Sequence, residues 1–138
     1  MAILWHINFH TFHSKNVFEN PEYEEFVRNS FLQTAREKGI VLLELEFMPT
    51  HVHLITIEFP DLPRAKIVQY LKGNASIQFF EKFPDTRYDL GGGHLWQISY
   101  DKVLIKTHIQ YVRTAEYVRN QKNKWIRGRR LGHGDSAG

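Results

Sequence analysis

Residues 40–59 read IVLLELEFMPTHVHLITIEF and contain two apolar runs. The first run covers Ile40 to Phe47 and the second Val52 to Phe59, with Met48-Pro49-Thr50 between them. Two strands joined by so short a connection favour an antiparallel pair. Apolar residues occur on both faces of each run, which predicts central strands covered by helices.

The segments around this pair predict further elements. Upstream, residues 2–13 are rich in aromatic and β-branched residues, which favours a strand. Asn20 before Pro21 predicts the start of a helix, and Gly39 its end. Downstream, the pattern predicts a helix over 62–83 with a weak point at Gly73, a loop over 84–93, a strand over 94–100 and a helix over about 102–126.

The predicted order is therefore β-α-β-β-α-β-α. This order is typical of an α+β fold near the ferredoxin-like plan, in which helices pack on an antiparallel sheet. We expect one domain over residues 1–126 and a basic, glycine-rich tail over 127–138.

Composition excludes several classes of protein. The 138 residues include no cysteine, which rules out disulfide scaffolds, thiolate zinc sites and cysteine nucleophiles. No apolar run approaches the roughly 20 residues of a membrane span, and the N-terminus does not resemble a signal peptide. We therefore expect a cytoplasmic protein with no membrane partner.

Charge is distributed unevenly along the chain. Residues 1–60 contain four basic and eight acidic residues, for a net charge of −4, whereas residues 61–138 contain fourteen and seven, for +7. The total of +3 conceals this asymmetry, which indicates a polyanionic partner for the C-terminal half.

The segment His51-Val52-His53 is a candidate metal site. Residues i and i+2 of a strand point to one face, so both imidazoles would project together. Two imidazoles at this spacing can bind a divalent ion, but they need a third ligand from elsewhere. The alternative is two unrelated histidines at the start of a strand. His6, His10 and His13 alternate imperfectly, which favours packing or surface positions over ligands.

The last helix carries a second candidate. Helical periodicity predicts a core stripe of Ile105, Ile109, Tyr111, Val112, Ala115 and Val118. Tyr117 and Gln121 lie one turn apart on the opposite side, which they share with Arg113. The tyrosine could act as a nucleophile and the glutamine amide oxygen as a metal ligand. The alternative is an ordinary tyrosine facing solvent.

Basic residues are concentrated at the end of this helix. Six of them fall within twelve residues that contain no acid and that include Trp125: Arg119, Lys122, Lys124, Arg127, Arg129 and Arg130. Cations with an interleaved aromatic residue suit phosphate neutralisation and base stacking on a single strand. The alternative is a solvated helix end, where the helix dipole favours cations in any case.

Four segments, in order, resemble motifs of one family, the single-tyrosine transposases of the HUH endonucleases. MPTHVHLI (48–55) resembles the HUH motif, and YLKGNAS (70–76) the family's Leu-Lys-Gly helix segment. GHLWQISY (93–100) resembles its tryptophan-containing strand, and YVRNQ (117–121) its catalytic helix. Thr50 stands where many members have aspartate.

The resemblance implies a fold, an activity and a set of residues. It implies an α+β sandwich, often a homodimer, that cleaves and rejoins single-stranded DNA at insertion-sequence ends, usually beside a hairpin. By position, Tyr117 would attack the scissile phosphate, and His51, His53 and Gln121 would bind Mg²⁺ or Mn²⁺. In some members the tyrosine helix serves the partner subunit's histidines, and which arrangement applies stays open.

The cations expected to contact DNA lie on two predicted helices. They are Lys72, Arg113, Arg119, Lys122, Lys124 and Arg127. Two other functions stay open: another HUH nuclease, such as a replication initiator or relaxase, and a non-catalytic nucleic-acid-binding protein of ferredoxin-like fold.

Overall fold

A computed structural model describes residues 2–90 and 92–132, with side chains described as far as residue 121. Two short 3₁₀ turns, Phe12–Ser14 and Val17–Glu19, follow the first strand. The strands and α-helices are, in chain order, β1 (Ile3–His10), α1 (Pro21–Lys38), β2 (Leu42–Phe47), β3 (His51–Glu58), α2 (Arg64–Lys82), α3 (Thr86–Asp89), β4 (Asp101–Ile105) and α4 (His108–Gly132).

The four strands form one sheet in the order β2-β3-β1-β4, and every neighbouring pair is antiparallel. β1 pairs with β3 from Ile3 opposite Glu58 to His10 opposite His51. The predicted α+β fold with an antiparallel sheet is thus confirmed. The expectation that both strands of the 40–59 pair are central is right for β3 and wrong for β2, because β2 forms an edge of the sheet.

Helix α1 has the ends that the sequence predicts. The Asn20 side chain accepts hydrogen bonds from the backbone N–H groups of Glu22 and Tyr23, and Pro21 takes the first helical position. Gly39 ends the helix with a φ of 73°, a left-handed conformation that glycine adopts without steric cost. Local chemistry alone therefore sets both ends of this helix.

The alternation of side chains gives the sheet two different faces. On one face, Ile7, Phe9, Val52 and Leu54 join the main core beneath helices α1 and α2. The other face carries His6 and His10 on β1 and His51 and His53 on β3, and we call it the histidine face. Helix α4 covers part of the histidine face, where Ala115 and Val118 pack with Ile55 and Ile105.

The last strand differs from its prediction. Residues 94–100 form no ladder, and Trp96 makes only an isolated bridge with Thr11. Leu95 and Trp96 are nevertheless buried in the main core, so they follow an apolar pattern without being in a strand. The fourth strand is β4, at residues predicted to be helical, because Val103, Leu104 and Ile105 extend the free edge of β1.

Helix α4 begins later and ends later than predicted. The Thr107 hydroxyl accepts a hydrogen bond from the backbone N–H of Gln110 at 3.0 Å and caps the helix, which starts at His108. The helix continues to Gly132, beyond the predicted end at 126 and into the predicted tail. Residues 133–138 of that tail lie outside the described residues.

Three smaller differences concern β1, α2 and the loop after it. β1 ends at His10, because Thr11 turns into the 3₁₀ segment. Helix α2 passes through Gly73 without a break. The predicted loop over 84–93 contains the single-turn helix α3.

The predicted core stripe of the last helix is only partly right. Ala115 and Val118 are buried, but Ile109 is 63% and Val112 41% exposed. Ile105 is buried as a strand residue and Tyr111 is partly buried. Tyr111, Ala115 and Val118 form the face of α4 that packs on the sheet, whereas at about 100° per residue Ile109 lies on the opposite side of the helix and Val112 at its flank. No helix in the described part of the chain is long and apolar enough to cross a membrane.

Candidate active site

His51 and His53 begin strand β3 on the histidine face, while Val52 between them is buried in the main core. Their ring centroids lie 4.9 Å apart, with the ring planes at 76°. His53 is 5% exposed, and His51 is half-buried. Strand periodicity therefore places two imidazoles side by side at the edge of a buried surface.

Each of these rings is held through its Nδ1 atom. The Thr50 hydroxyl lies 3.0 Å from Nδ1 of His51, and Nε2 of His6 lies 3.1 Å from Nδ1 of His53. Nδ1 of each ring is thus engaged, and a metal ion would bind at Nε2 of the tautomer that carries its hydrogen on Nδ1. Metal-binding histidines commonly have this arrangement, in which one nitrogen is hydrogen-bonded and the other binds.

His6 and His10 of β1 pack against the His51–His53 pair. The ring of His6 stacks on His53 with centroids 5.3 Å apart, and the ring of His10 stacks on His51 at 4.8 Å. The prediction of packing positions describes these two residues well, but it missed that they pack against the candidate ligands. The signal was the even spacing of His6 and His10, which puts both on one face of β1. His13 lies instead in the following turn, against Phe12.

Burial, aided by neighbouring imidazoles at His51 and His53, lowers the pKa values of His6, His51 and His53. Burial lowers the pKa of His53 to about 3, with further contributions from His51, His6 and His10. Burial, and then the neighbouring His10, lowers the pKa of His51, and burial lowers that of His6. These rings are thus neutral at neutral pH, which is the form that binds metal ions.

Tyr117 lies beside this cluster in the same chain. Its ring meets His53 edge-on at 5.7 Å and His6 at 6.0 Å between centroids, and the side chain stays 45% exposed. Ala115 and Val118 anchor the helix on either side of it. The tertiary structure therefore brings Tyr117 and His53 together, although they are far apart in sequence.

Gln121 lies one turn after Tyr117 and is half-buried. Its Nε2 donates to the Tyr117 carbonyl at 3.3 Å, which leaves its amide oxygen as the potential ligand. Among the described residues, no three or more His, Cys, Asp or Glu side chains form a metal-binding group. A metal site built on His51 and His53 thus needs a ligand of another type, and an amide oxygen qualifies.

The candidate DNA-binding cations fall in different places. Arg113 and Arg119 are exposed on α4, and Arg119 forms an ion pair with Glu44 at 3.1 Å. The side chains of Lys122, Lys124 and Arg127 lie outside the described residues.

Lys72 lies on the opposite face of the sheet, over the Phe9 ring. Its ammonium donates to the backbone carbonyls of Gln97, Ile98 and Ser99, the first at 2.6 Å, and burial lowers its pKa to about 8. The structure therefore does not bring Lys72 to the histidine face, and a DNA contact by Lys72 stays a prediction.

Comparison with known proteins gives consistent results. A family model described as "Transposase IS200 like" matches residues 1–121. The ISDra2 transposase TnpA of Deinococcus radiodurans is 26% identical over 103 residues, which cover 75% of this chain and 73% of that protein.

Two solved structures share the fold. A crystal structure from Deinococcus radiodurans R1, described as that of a transposase, matches with a TM-score of 0.69 and 25% identity over 88% of this chain and 92% of that one. A REP-associated tyrosine transposase bound to a REP hairpin matches with a TM-score of 0.66 and 17% identity over 98% of this chain and 85% of that one.

The lowered pKa of His53 predicts how stability depends on pH. In the unfolded chain, His53 takes up a proton near the ordinary histidine pKa of about 6.5. In the folded chain, His53 stays neutral down to about pH 3. The contribution of neutral His53 to the free energy of unfolding is therefore fully present above about pH 6.5 and is lost as the pH falls toward 3. Between pH 7 and pH 5 in EDTA, we expect His53 to lower the free energy of unfolding by about 2 kcal/mol.

Urea unfolding at both pH values measures this loss. A His53→Asn variant, which cannot take up the proton, should lose less stability over this interval, whereas His94→Gln at an exposed position should behave like the wild type. Equal losses in the wild type and His53→Asn would contradict the prediction.

Proposed function

The chain belongs to the IS200-like transposase family, and from this we propose that it cleaves and rejoins single-stranded DNA at insertion-sequence ends through a 5′-phosphotyrosine at Tyr117. One observation carries the proposal: the Tyr117 ring lies edge-on against His53 of the same chain, beside His51. A candidate nucleophile, which is 45% exposed, thus meets two candidate metal ligands at the edge of a buried surface.

The proposed chemistry is a transesterification. The Tyr117 hydroxyl oxygen attacks the scissile phosphorus, the bond from phosphorus to the 3′ oxygen breaks, and the phenol proton passes to solvent at the exposed side of the ring. The departing 3′ oxygen takes up a proton and becomes a free 3′-hydroxyl. Because the link to tyrosine is still a phosphodiester, a 3′-hydroxyl can attack it and restore a DNA strand without any nucleotide cofactor.

His51, His53 and Gln121 would hold a Mg²⁺ or Mn²⁺ ion beside Tyr117. The residues fit such an ion, because both rings are neutral, both have Nδ1 in a hydrogen bond and so would bind through Nε2, and the Gln121 amide can add an oxygen ligand. When bound, the ion supplies Lewis-acid stabilisation of a non-bridging phosphate oxygen. The half-buried rings of His6 and His10 pack against the two histidines and would hold them in place for this task.

Single-stranded DNA bearing a hairpin is the proposed partner. Arg113 and Arg119 are exposed on the helix that carries Tyr117, and Arg119 also pairs with Glu44. Both arginines are proposed to contact backbone phosphates near the cut. Lys122, Lys124 and Arg127 continue the same helix and are proposed to extend this contact. The hairpin follows by analogy with the REP-associated transposase bound to a REP hairpin.

We propose a homodimer that forms through β4 and the start of α4. β4 is an edge strand of the sheet, so its outer backbone groups have no partner strand in the described chain. Val103 on β4 is 53% exposed, and Ile109 and Val112 on α4 are exposed nearby in sequence. A second copy that covers these side chains would bury apolar surface that a monomer leaves in water.

Replacement of the nucleophile tests the proposed chemistry. With 3′-labelled single-stranded oligonucleotides from both flanks of the gene and MnCl₂, the wild type should form a gel-stable covalent adduct and Tyr117→Phe should form none. Tyr111→Phe, on the same helix and partly buried, should keep the adduct. Salt-sensitive DNA binding by the wild type without any adduct would favour the non-catalytic alternative.

A charge placed in the proposed interface tests the dimer. Ile109→Lys should weaken dimerisation by about 100-fold: full burial of an isoleucine contributes about 1.5–3 kcal/mol, only the 63% of Ile109 that is exposed remains to be buried, and a symmetric interface counts the residue twice. Size-exclusion chromatography with light scattering measures this shift. Ile77→Lys changes an equally exposed isoleucine on α2 and should leave the mass unchanged. A monomeric wild type would contradict the dimer.

Mixed dimers test whether Tyr117 acts with the histidines of its own chain. Tyr117→Phe and His53→Ala subunits, co-expressed with different tags and purified as heterodimers, should form no adduct, because each subunit lacks one half of its own site. If Tyr117 served the partner subunit instead, one of the two sites would be intact. Recovery of about half of the wild-type adduct would therefore contradict the arrangement in this structure.

A further inference from the structure

His6 contacts His53 on the side of its Nδ1 atom. In the pairing of β1 with β3, Asn8 lies opposite His53 and His6 opposite Ile55, so the two imidazoles are diagonal neighbours on the histidine face. Their rings are stacked at 25°, and His6 Nε2 lies 3.1 Å from His53 Nδ1. The contact therefore combines ring stacking with a hydrogen bond between two imidazoles.

The hydrogen bond constrains the tautomers of both rings. A neutral imidazole has one N–H donor and one acceptor nitrogen, so the hydrogen between the rings belongs either to His53 or to His6. If His53 donates from Nδ1, its Nε2 has a free lone pair for an ion. If His6 donates from Nε2, His53 must carry its own hydrogen on Nε2 and cannot bind there.

We propose that His6 is a positioning residue that accepts the Nδ1 hydrogen of His53 and so holds His53 in the tautomer whose Nε2 can bind the metal ion. The inference rests on the proposed function, in which His53 is a ligand. His6 touches neither ion nor DNA in this role; it acts through His53. Thr50 holds His51 through the same Nδ1 atom, but a hydroxyl can donate or accept and so imposes no tautomer.

His10 differs from His6, because it stacks on a candidate ligand without a hydrogen bond to it. Its ring stacks on His51 at 4.8 Å and 24°, much as His6 stacks on His53. However, the buried Nδ1 of His10 has no hydrogen-bond partner. The structure thus offers two stacked histidines on one strand, and only the His6 contact includes a hydrogen bond to a candidate ligand. His10 is therefore a matched control for His6.

The first measurement uses the metal-free protein. Long-range ¹H–¹⁵N spectra of uniformly ¹⁵N-labelled protein in EDTA report whether His53 carries its hydrogen on Nδ1 or Nε2, with signals assigned by a His53→Asn variant. We expect Nδ1–H in the wild type. A wild-type His53 with its hydrogen on Nε2 would overturn the inference without the use of any His6 variant.

Two His6 variants separate the hydrogen bond from the packing. His6→Phe keeps a stacked ring but has no acceptor, so we expect His53 to shift toward Nε2–H and the affinity for Mn²⁺, measured by electron paramagnetic resonance, to fall about 10–100-fold. His6→Gln places an amide oxygen near the former Nε2, and it should restore part of both signals. His10→Phe should leave the His53 tautomer as it is in the wild type.

The two readouts also separate this inference from the proposed function. If the wild type binds Mn²⁺ and His6→Phe changes neither the His53 tautomer nor the affinity, His6 is only a packing residue and the inference fails while the metal site stands. If the wild type binds no Mn²⁺, the metal site fails, and the role of His6 in supporting it fails with it. In that case the spectra still report whether His6 determines which ring nitrogen of His53 carries the hydrogen.

Discussion

The antiparallel pairing of β1 with β3 is the interaction on which the site depends. Its register places His10 opposite His51 and Asn8 opposite His53, and it sets His6 diagonally behind His53. A slip of one residue would turn all of these side chains to the opposite face, where Ile7, Phe9, Val52 and Leu54 pack in the main core. Burial of those apolar residues therefore also specifies the arrangement of the histidines, since both sets alternate along the same two strands.

Helix α4 completes the site by a second constraint, which is close packing. Ala115 and Val118 are small enough to let the helix lie close to Ile55, and this contact puts Tyr117 against His53 and His6. Burial of the rings has an electrostatic consequence, because it lowers the pKa values of His6, His51 and His53 and keeps them neutral. Thus one set of contacts both places Tyr117 beside the histidines and keeps the imidazoles neutral, which is the form that the proposed metal binding requires. The Tyr117 side chain stays 45% exposed, and the proposed DNA substrate would approach it from the exposed side.

Sequence reasoning predicted elements well where the determinant was local. Asn20, Pro21 and Gly39 set the ends of α1, and the two apolar runs in 40–59 became β2 and β3. The prediction failed for 94–105, where the determinants are distant. An apolar residue stands at position 96 because Trp96 packs with Phe9, Phe18 and Phe31 in the core, although it lies in no strand. Val103 to Ile105 form a strand because β1 has a free edge, and a periodicity of the segment itself does not contain that information.

The same division applies to the site. Spacing within one element places His51 and His53 on one face of a strand and puts Gln121 one turn after Tyr117, because strand and helix periodicities are properties of the backbone alone. Contacts between elements required the folded chain. His6 and His53 are 47 residues apart, Tyr117 meets the histidines of its own chain, and Lys72 lies on the opposite face, bound to carbonyls of 97–99. These contacts follow from strand register and helix packing, which the burial of side chains from the whole chain specifies together.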